Sequence, residues 1–321
     1  MPMHRLVFAL LALLLAGPAQ AQFFGARPVT IVVGFPPGGG NDLAARVIAP
    51  ELGKALGTNV IVTNRPGANA TIGSDVVAKS APDGHTLLVV SASPLVIVPH
   101  TSANVPFDTL RDFAGITLMG VTPGAIAVNP AIPAKDLKQF LASSTAKPLR
   151  IGSTGNGGMP HLTIELLKKA ALPGVVIHVP YKGATPALTD VMGGHIEGFV
   201  GDLASVITLV KEGKLRAMAV TSRTRVDYLP DAATAAEQGF PSLHAENWLG
   251  VLAAAKTPPA VLDRLHAALV SIAATPQVRE GMLKLGYAVT TSASPAAYQQ
   301  FLREEHEKWG KIAKESGARA D

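Results

Sequence analysis

The sequence predicts an α/β fold built as two domains, and three observations carry that prediction. Short β-branched runs alternate with helical patterns along nearly the whole chain. Two stretches, 29–42 and 149–161, repeat one plan of strand, glycine-rich turn and helix start, one early and one mid-chain. Finally, 321 residues less a 21-residue leader leaves 300, more than a single core ordinarily holds.

The leader comes first. His4 and Arg5 make a positive start, residues 6–16 are apolar, and Ala19-Gln20-Ala21 is an A-x-A cleavage site. Export with cleavage after Ala21 is expected, placing the mature chain in the periplasm. The apolar run is too short to span a bilayer, and no later run is long and apolar enough. There is no cysteine, which excludes disulfides, thiol nucleophiles, thiolate metal sites and a lipid-bearing cysteine. An oxidising compartment is compatible with that. The net charge of +5 becomes +4 once Arg5 leaves with the leader. This mild basic bias helps to steer anionic solutes. The charges are scattered, without basic blocks or interleaved aromatics, which argues against nucleic acid.

Residues 29–35 are a β-branched run of strand length. Pro36-Pro37-Gly38-Gly39-Gly40 can continue neither strand nor helix. Asn41 and Asp42 then cap a helix expected over 43–56, bent at Pro50. Strand, glycine turn and helix N-terminus form an anion site from backbone alone, because first-turn N–H groups point outward at the positive end of the dipole. A plain tight turn needs fewer glycines, so Phe35, Pro37, Gly38, Gly39, Gly40, Asn41 and Asp42 are candidate ligand residues. Position 43 is Leu and no Gly-Lys-Ser/Thr follows, which points away from nucleotides and toward a smaller anion such as a carboxylate.

The stretch resembles the opening motif of the Bug family, the TctC-type periplasmic solute receptors linked to tripartite tricarboxylate transporters. The resemblance continues in order through Asn64-Arg65-Pro66-Gly67-Ala68, through Gly152-Ser153-Thr154-Gly155-Asn156-Gly157 with His161-Leu162, and through His178-Val179-Pro180-Tyr181-Lys182-Gly183. It ends with Gly213-Lys214-Leu215-Arg216-Ala217 and Glu237-Gln238-Gly239-Phe240-Pro241. It spans essentially the whole mature chain. It implies a type II periplasmic binding protein of the Venus-flytrap kind with a two-segment hinge: domain 1 over 22–122 and 246–321, domain 2 over 123–245. It also implies a monomer that closes on one carboxylate held between two opposed helix N-termini, often with bridging water, and passes it to a tripartite membrane complex. Two departures stand out. Asn69-Ala70 replace two glycines usual in the family, and Gly158 stands where the family often has Ser.

The remaining elements follow in order. A strand over 60–63 leads to the Asn64–Gly67 turn, a helix over 72–79 and a strand over 86–90. Ser91 and Ser93 end that strand, where the crevice of an open α/β sheet lies; ligand donor and helix cap are both open roles. Strands over 116–119 and 125–128, separated by a Thr122-Pro123-Gly124 turn, make the first crossing between domains. A helix over 137–143 and a strand over 149–153 precede the second glycine loop, with candidates Ser153, Thr154, Gly155, Asn156 and His161. His161 either donates to the ligand or orients the loop. A helix over 162–171 and a strand over 175–179 lead to Tyr181, Lys182 and Ala184. Tyr181 offers an aromatic wall and Lys182 a distal charge. After a helix over 184–192 and a strand over 196–200, Asp202 suits a ligand amine or hydroxyl, or caps the helix that starts at 203. A strand over 215–220 and a helix over 232–238 precede the return to domain 1 near 245–251. Helices over 259–274, 276–285 and 295–314 each carry Pro near the start.

Other functions are weaker. Ser153, His161 and Asp202 suggest a hydrolase triad, yet there is no G-x-S-x-G elbow. The nine histidines are dispersed, without a metal motif, and no cofactor is expected. The alternative to a transport receptor is a periplasmic sensor on the same fold, feeding a signalling partner.

Overall fold

The computed structural model describes residues 24–25, 27–144 and 147–320; the expected leader and its cleavage site lie outside them. β1 (Val29–Val33), α1 (Gly40–Leu56), β2 (Val60–Asn64), α2 (Thr71–Ala78) and β3 (Thr86–Ser91) open the first lobe, and β4 (Phe113–Val128) leaves it. The second lobe contains α3 (Leu137–Ala142), β5 (Leu149–Ser153), α4 (Met159–Ala170), β6 (Val176–Pro180), α5 (Ala184–Met192), β7 (Gly198–Asp202), α6 (Leu203–Lys211) and β8 (Arg216–Val220). β9 (Glu246–Ala254) returns, and α7 (Pro259–Ala273), α8 (Pro276–Lys284) and α9 (Pro295–Ser316) complete the first lobe. The strands form one nine-stranded sheet in the order β2-β1-β3-β9-β4-β7-β5-β6, with β8 paired to β4.

Within each lobe its part of the sheet is covered on both faces, which is why the strands read as nearly continuous apolar runs. In the first lobe Val29, Ile31 and Val33 pack against α1, α7 and α8. Val32, Leu88 and Val90 face the other way, toward Trp248, Tyr298 and Trp309. In the second lobe Ile126, Ile151 and Phe140 share one layer with Leu167, while Ala127, Phe199 and Val206 share the opposite one.

β4 corrects the expected pair of strands. It is continuous, pairing with β9 from Phe113 to Pro123 and with β7 and β8 from Gly124 or Ala125 onward. Thr-Pro-Gly reads locally as a turn. Here the proline's missing N–H falls where the strand changes partners, so it interrupts the ladder least there. The two crossings lie side by side: Gly124 N donates to Ala245 O at 3.2 Å, and Thr221 N to Gly124 O at 2.9 Å. The helix expected over 232–238 is instead a series of turns, in which Thr234 and Glu237 bond each other's backbone amides at 3.0 and 2.8 Å. Gly239 and Pro241 leave no room for a second helical turn.

Candidate functional site

The first glycine loop is braced from below. Gly34 follows β1 pressed onto Ala70, whose Cβ lies 2.5 Å from where a Cβ on Gly34 would stand. Gly38 has φ +82°, which a larger residue adopts only with strain. α1 begins at Gly40 with Gly39 as an N-cap that has no side chain to offer, so Asn41 and Asp42 sit inside the first turn rather than capping a helix from Leu43. Asp42 folds back. Its carboxylate accepts from Gly38 N at 2.8 Å, Arg46 Nε at 2.9 Å and Asn64 Nδ2 at 2.9 Å. The Arg46 bond leads in holding that carboxyl down at about 2, against the opposing effect of its burial. The amides of Gly40, Asn41 and Asp42 have no acceptor within the helix and stand at its positive end.

The second loop is braced by two histidines. Ser153 is fully buried; its Oγ donates to Gly155 O at 2.9 Å and meets His178 Nε2 at 2.6 Å. With the hydroxyl proton spent on Gly155, His178 is the donor. The His178 ring stacks on His161, with centroids 4.0 Å apart. Burial first, and then the neighbouring His161, push His178 down to about 4, so it is neutral at physiological pH. His161 Nδ1 accepts from Gly157 N at 3.0 Å, which leaves its Nε2–H toward Glu165 at 3.5 Å. The partner of Ser153 is therefore His178 rather than His161, and the serine does not face the cavity as a hydrolytic nucleophile would. At the start of α4, Met159 N donates to Ser93 Oγ of the first lobe at 3.3 Å, and Pro160 has no N–H. This helix end offers fewer free amides than α1.

Between the loops lies a cavity of about 590 Å³. Of the candidates, Phe35, Gly40, Asn41, Ser91, Ser93, Thr154, Gly155, Asn156, Tyr181, Lys182 and Asp202 line it. Pro37, Gly38, Gly39, Asp42, Ser153, His161 and Ala184 do not. Tyr181 supplies a wall, but its hydroxyl donates to Asp190 at 2.6 Å; burial and that carboxylate raise its pKa to about 12. Asp202 precedes α6 yet makes no capping bond. Its Oδ2 accepts from Asn247 Nδ2 at 3.0 Å, and burial pushes its carboxyl up to about 6.

Sequence reasoning missed Asn247, Tyr287, Asn69 and Ser205, all of which line the cavity. Asn247 is the second residue of the return strand, and its Oδ1 accepts from Ala92 N at 3.2 Å while its amide nitrogen reaches Asp202, so one side chain ties the two lobes together. A Cβ on Gly40 would stand 3.8 Å from the Tyr287 hydroxyl. A larger depression of about 1020 Å³ lies outside α1 and β2, reached by neither glycine loop; it is an open groove on the sheet edge. Among the described residues no group of His, Asp and Glu is placed to hold a metal ion, and no helix is long and apolar enough to cross a membrane.

Residues 44–318 match the family described as "Tripartite tricarboxylate transporter family receptor". BugT of Bordetella pertussis is 33% identical over 309 residues, covering 95% of this chain and 94% of that protein. MatC from Rhodopseudomonas palustris, solved with bound malate, superposes with a TM-score of 0.73 at 28% identity, covering 90% of this chain and 99% of that one. A second R. palustris structure, solved with adipate, gives a TM-score of 0.79 at 26% identity, covering 91% and 98%.

Proposed function

The chain belongs to the tripartite tricarboxylate transporter receptor family, and from that premise we propose that it captures a small carboxylate in the periplasm and delivers it to a tripartite membrane transporter. One observation carries the reading: loops from both lobes meet at a polar cavity whose lining includes free helix-start amides and, among the described residues, no arginine. The anion is neutralised by backbone, with Lys182 as the one lining cation among the described residues. The charged and imidazole side chains nearest the loops, Asp42, His161 and His178, are spent on holding loop geometry. A cavity of about 590 Å³ is within the range of small-ligand sites, and two similar proteins were solved with malate and adipate. The adjacent crossings at 121–124 and 245–247 are the hinge about which the lobes close. The family consists of solute receptors, and the ligand leaves unchanged.

Thermal shift of unfolded-and-refolded mature protein against a carboxylate panel tests this. A ligand at 100-fold over its dissociation constant stabilises by about 2.7 kcal/mol, a rise of several degrees. Gly40→Val, which puts a branched side chain against Tyr287 at the mouth of the amide cluster, abolishes the shift while the ligand-free melting temperature stays within a few degrees. If no carboxylate shifts the wild-type protein, or if one returns chemically altered, the receptor reading fails.

A further inference from the structure

We propose that Asp202 selects, among carboxylates, those that also carry a hydrogen-bond donor, an ammonium or a hydroxyl, over those that carry none. The proposal rests on the receptor reading and deepens it. Its ground is an imbalance of acceptors along one wall of the cavity.

Asp202 makes one side-chain hydrogen bond, from Asn247 Nδ2 to its Oδ2 at 3.0 Å. The Asn247 amide cannot turn over without loss, because its Oδ1 is held by Ala92 N at 3.2 Å. Its nitrogen therefore faces Asp202, and the second carboxylate oxygen is without a partner among the described residues. On the same wall Asn41 donates from Nδ2 to Ser91 Oγ at 3.3 Å. Its Oδ1 is buried without a partner among the described residues, in a side chain belonging to a residue only 8% exposed. Asn41, Ser91, Ala92, Asn247 and Asp202 thus form one polar row, joined by hydrogen bonds and one peptide link, with an acceptor at each end that has no partner among the described residues, buried at Asn41 and open to the cavity at Asp202. At Asn41 the acceptor is dry and costs free energy that only a donor recovers, while the free oxygen of the part-exposed Asp202 opens on the cavity as a charged acceptor. A ligand with an ammonium or hydroxyl supplies that donor. A carboxylate alone supplies none and adds repulsion.

The other titratable groups facing this space are few. Tyr181 is committed to Asp190. Lys182 is exposed at the far loop. Tyr287 has its pKa raised by burial and by the charge of Asp202, so its hydroxyl keeps its proton. On β9, Glu246 is paired with His244 at 2.7 Å. The paired strand β4 presents Gly124, and the first turn of α6 carries no charge. Burial raises Asp202 to about 6, so a shift from pH 7.5 to 5.0 neutralises most of it.

Calorimetric titration of refolded mature protein with two matched series is decisive: succinate, malate and aspartate; butyrate, 4-hydroxybutyrate and 4-aminobutyrate. In at least one series, wild type at pH 7.5 binds the donor-bearing members about tenfold or more tighter than the parent acid. Asp202→Asn, which keeps an oxygen for Asn247, collapses that gap. In wild type the gap also narrows at pH 5.0, a readout that needs no variant. A gap absent from both series, or one unchanged by both Asp202→Asn and pH, overturns the proposal while the receptor reading stands. If neither these acids nor the wider carboxylate panel binds, the receptor reading falls and the proposal with it.

Discussion

Asp202 and His178 are half-buried titratable groups whose effects on stability run in opposite directions with pH. His178 is held below its ordinary value, at about 4. The unfolded chain therefore takes up a proton near pH 6.5 that the folded protein refuses, and stability falls as pH drops from about 6.5 toward 4. Asp202 is held above its ordinary value, at about 6. The folded protein there binds a proton more readily than the unfolded chain, and stability rises as pH drops from about 6 toward 4. Urea unfolding at pH 7.5 and 4.5 separates them. His178→Gln removes a loss, and Asp202→Asn removes a gain, each on the order of 1–3 kcal/mol. A pH response unchanged from wild type in either variant would contradict the shift assigned to the residue replaced. At this scale the sequence was partly legible. The residue types in the glycine loops announce a binding turn, because turn chemistry is local. The division of labour within them is not local. Asp42 and Ser153 are polar residues in the right loops, but their partners Asn64 and His178 arrive from elsewhere in the chain and turn them into braces. Asn247 and Tyr287 carry no signal at all, since tertiary structure alone brings them to the cavity.

Among the elements, the β4–β9 pair is the least forgiving. Gly250 on β9 faces Tyr298 of α9 so closely that a Cβ there would stand 1.6 Å from the tyrosine hydroxyl. That hydroxyl is itself buried without a partner among the described residues. Gly250→Ala destabilises by about 2 kcal/mol or more. Tyr298→Phe alone stabilises by about 1 kcal/mol, because it deletes an unsatisfied polar group, and in the double variant it relieves part of the alanine's cost. Equal losses in Gly250→Ala with and without Tyr298→Phe would place the strain elsewhere. The strands and helices of α/β type were readable from period and from proline and glycine punctuation, as α1, β5 and α7 show. What misled was proline inside β4: its meaning depends on whether a neighbouring strand requires its N–H, which only the assembled sheet decides. The turns at Ala235–Gly239 failed for a related reason, since a capping-box pattern specifies one turn of helix but not a second.

For the molecule as a whole, the lobes touch around the cavity as well as through the sheet. Thr101 Oγ1 donates to Gly157 O at 3.0 Å, and Gly157 also lies against Ala320, while Gly286 packs on Ala204. Lys169 and Glu315 pair across the same divide. These contacts are the ones the proposed hinge motion would break. Small-angle scattering of refolded, ligand-free protein is expected to give a larger radius of gyration than the carboxylate-saturated protein, and superimposable profiles would eliminate the motion.

The side-by-side crossings also bear on how the chain acquires its shape. The second lobe is one uninterrupted run of sequence inserted into the first, and its two ends emerge bonded to each other through Gly124 and Ala245. It can close using contacts made within its own span. The first lobe cannot: β3 pairs with β9, which is synthesised only after the whole insert. Low contact order favours early completion of the inserted lobe, and the discontinuous one waits for its last strand and three C-terminal helices. Until they arrive, the apolar edge of β3 at Leu88 and Val90 has no covering strand. A nascent or truncated chain is therefore most vulnerable to sticking at β3, far in sequence from the residues whose absence causes it.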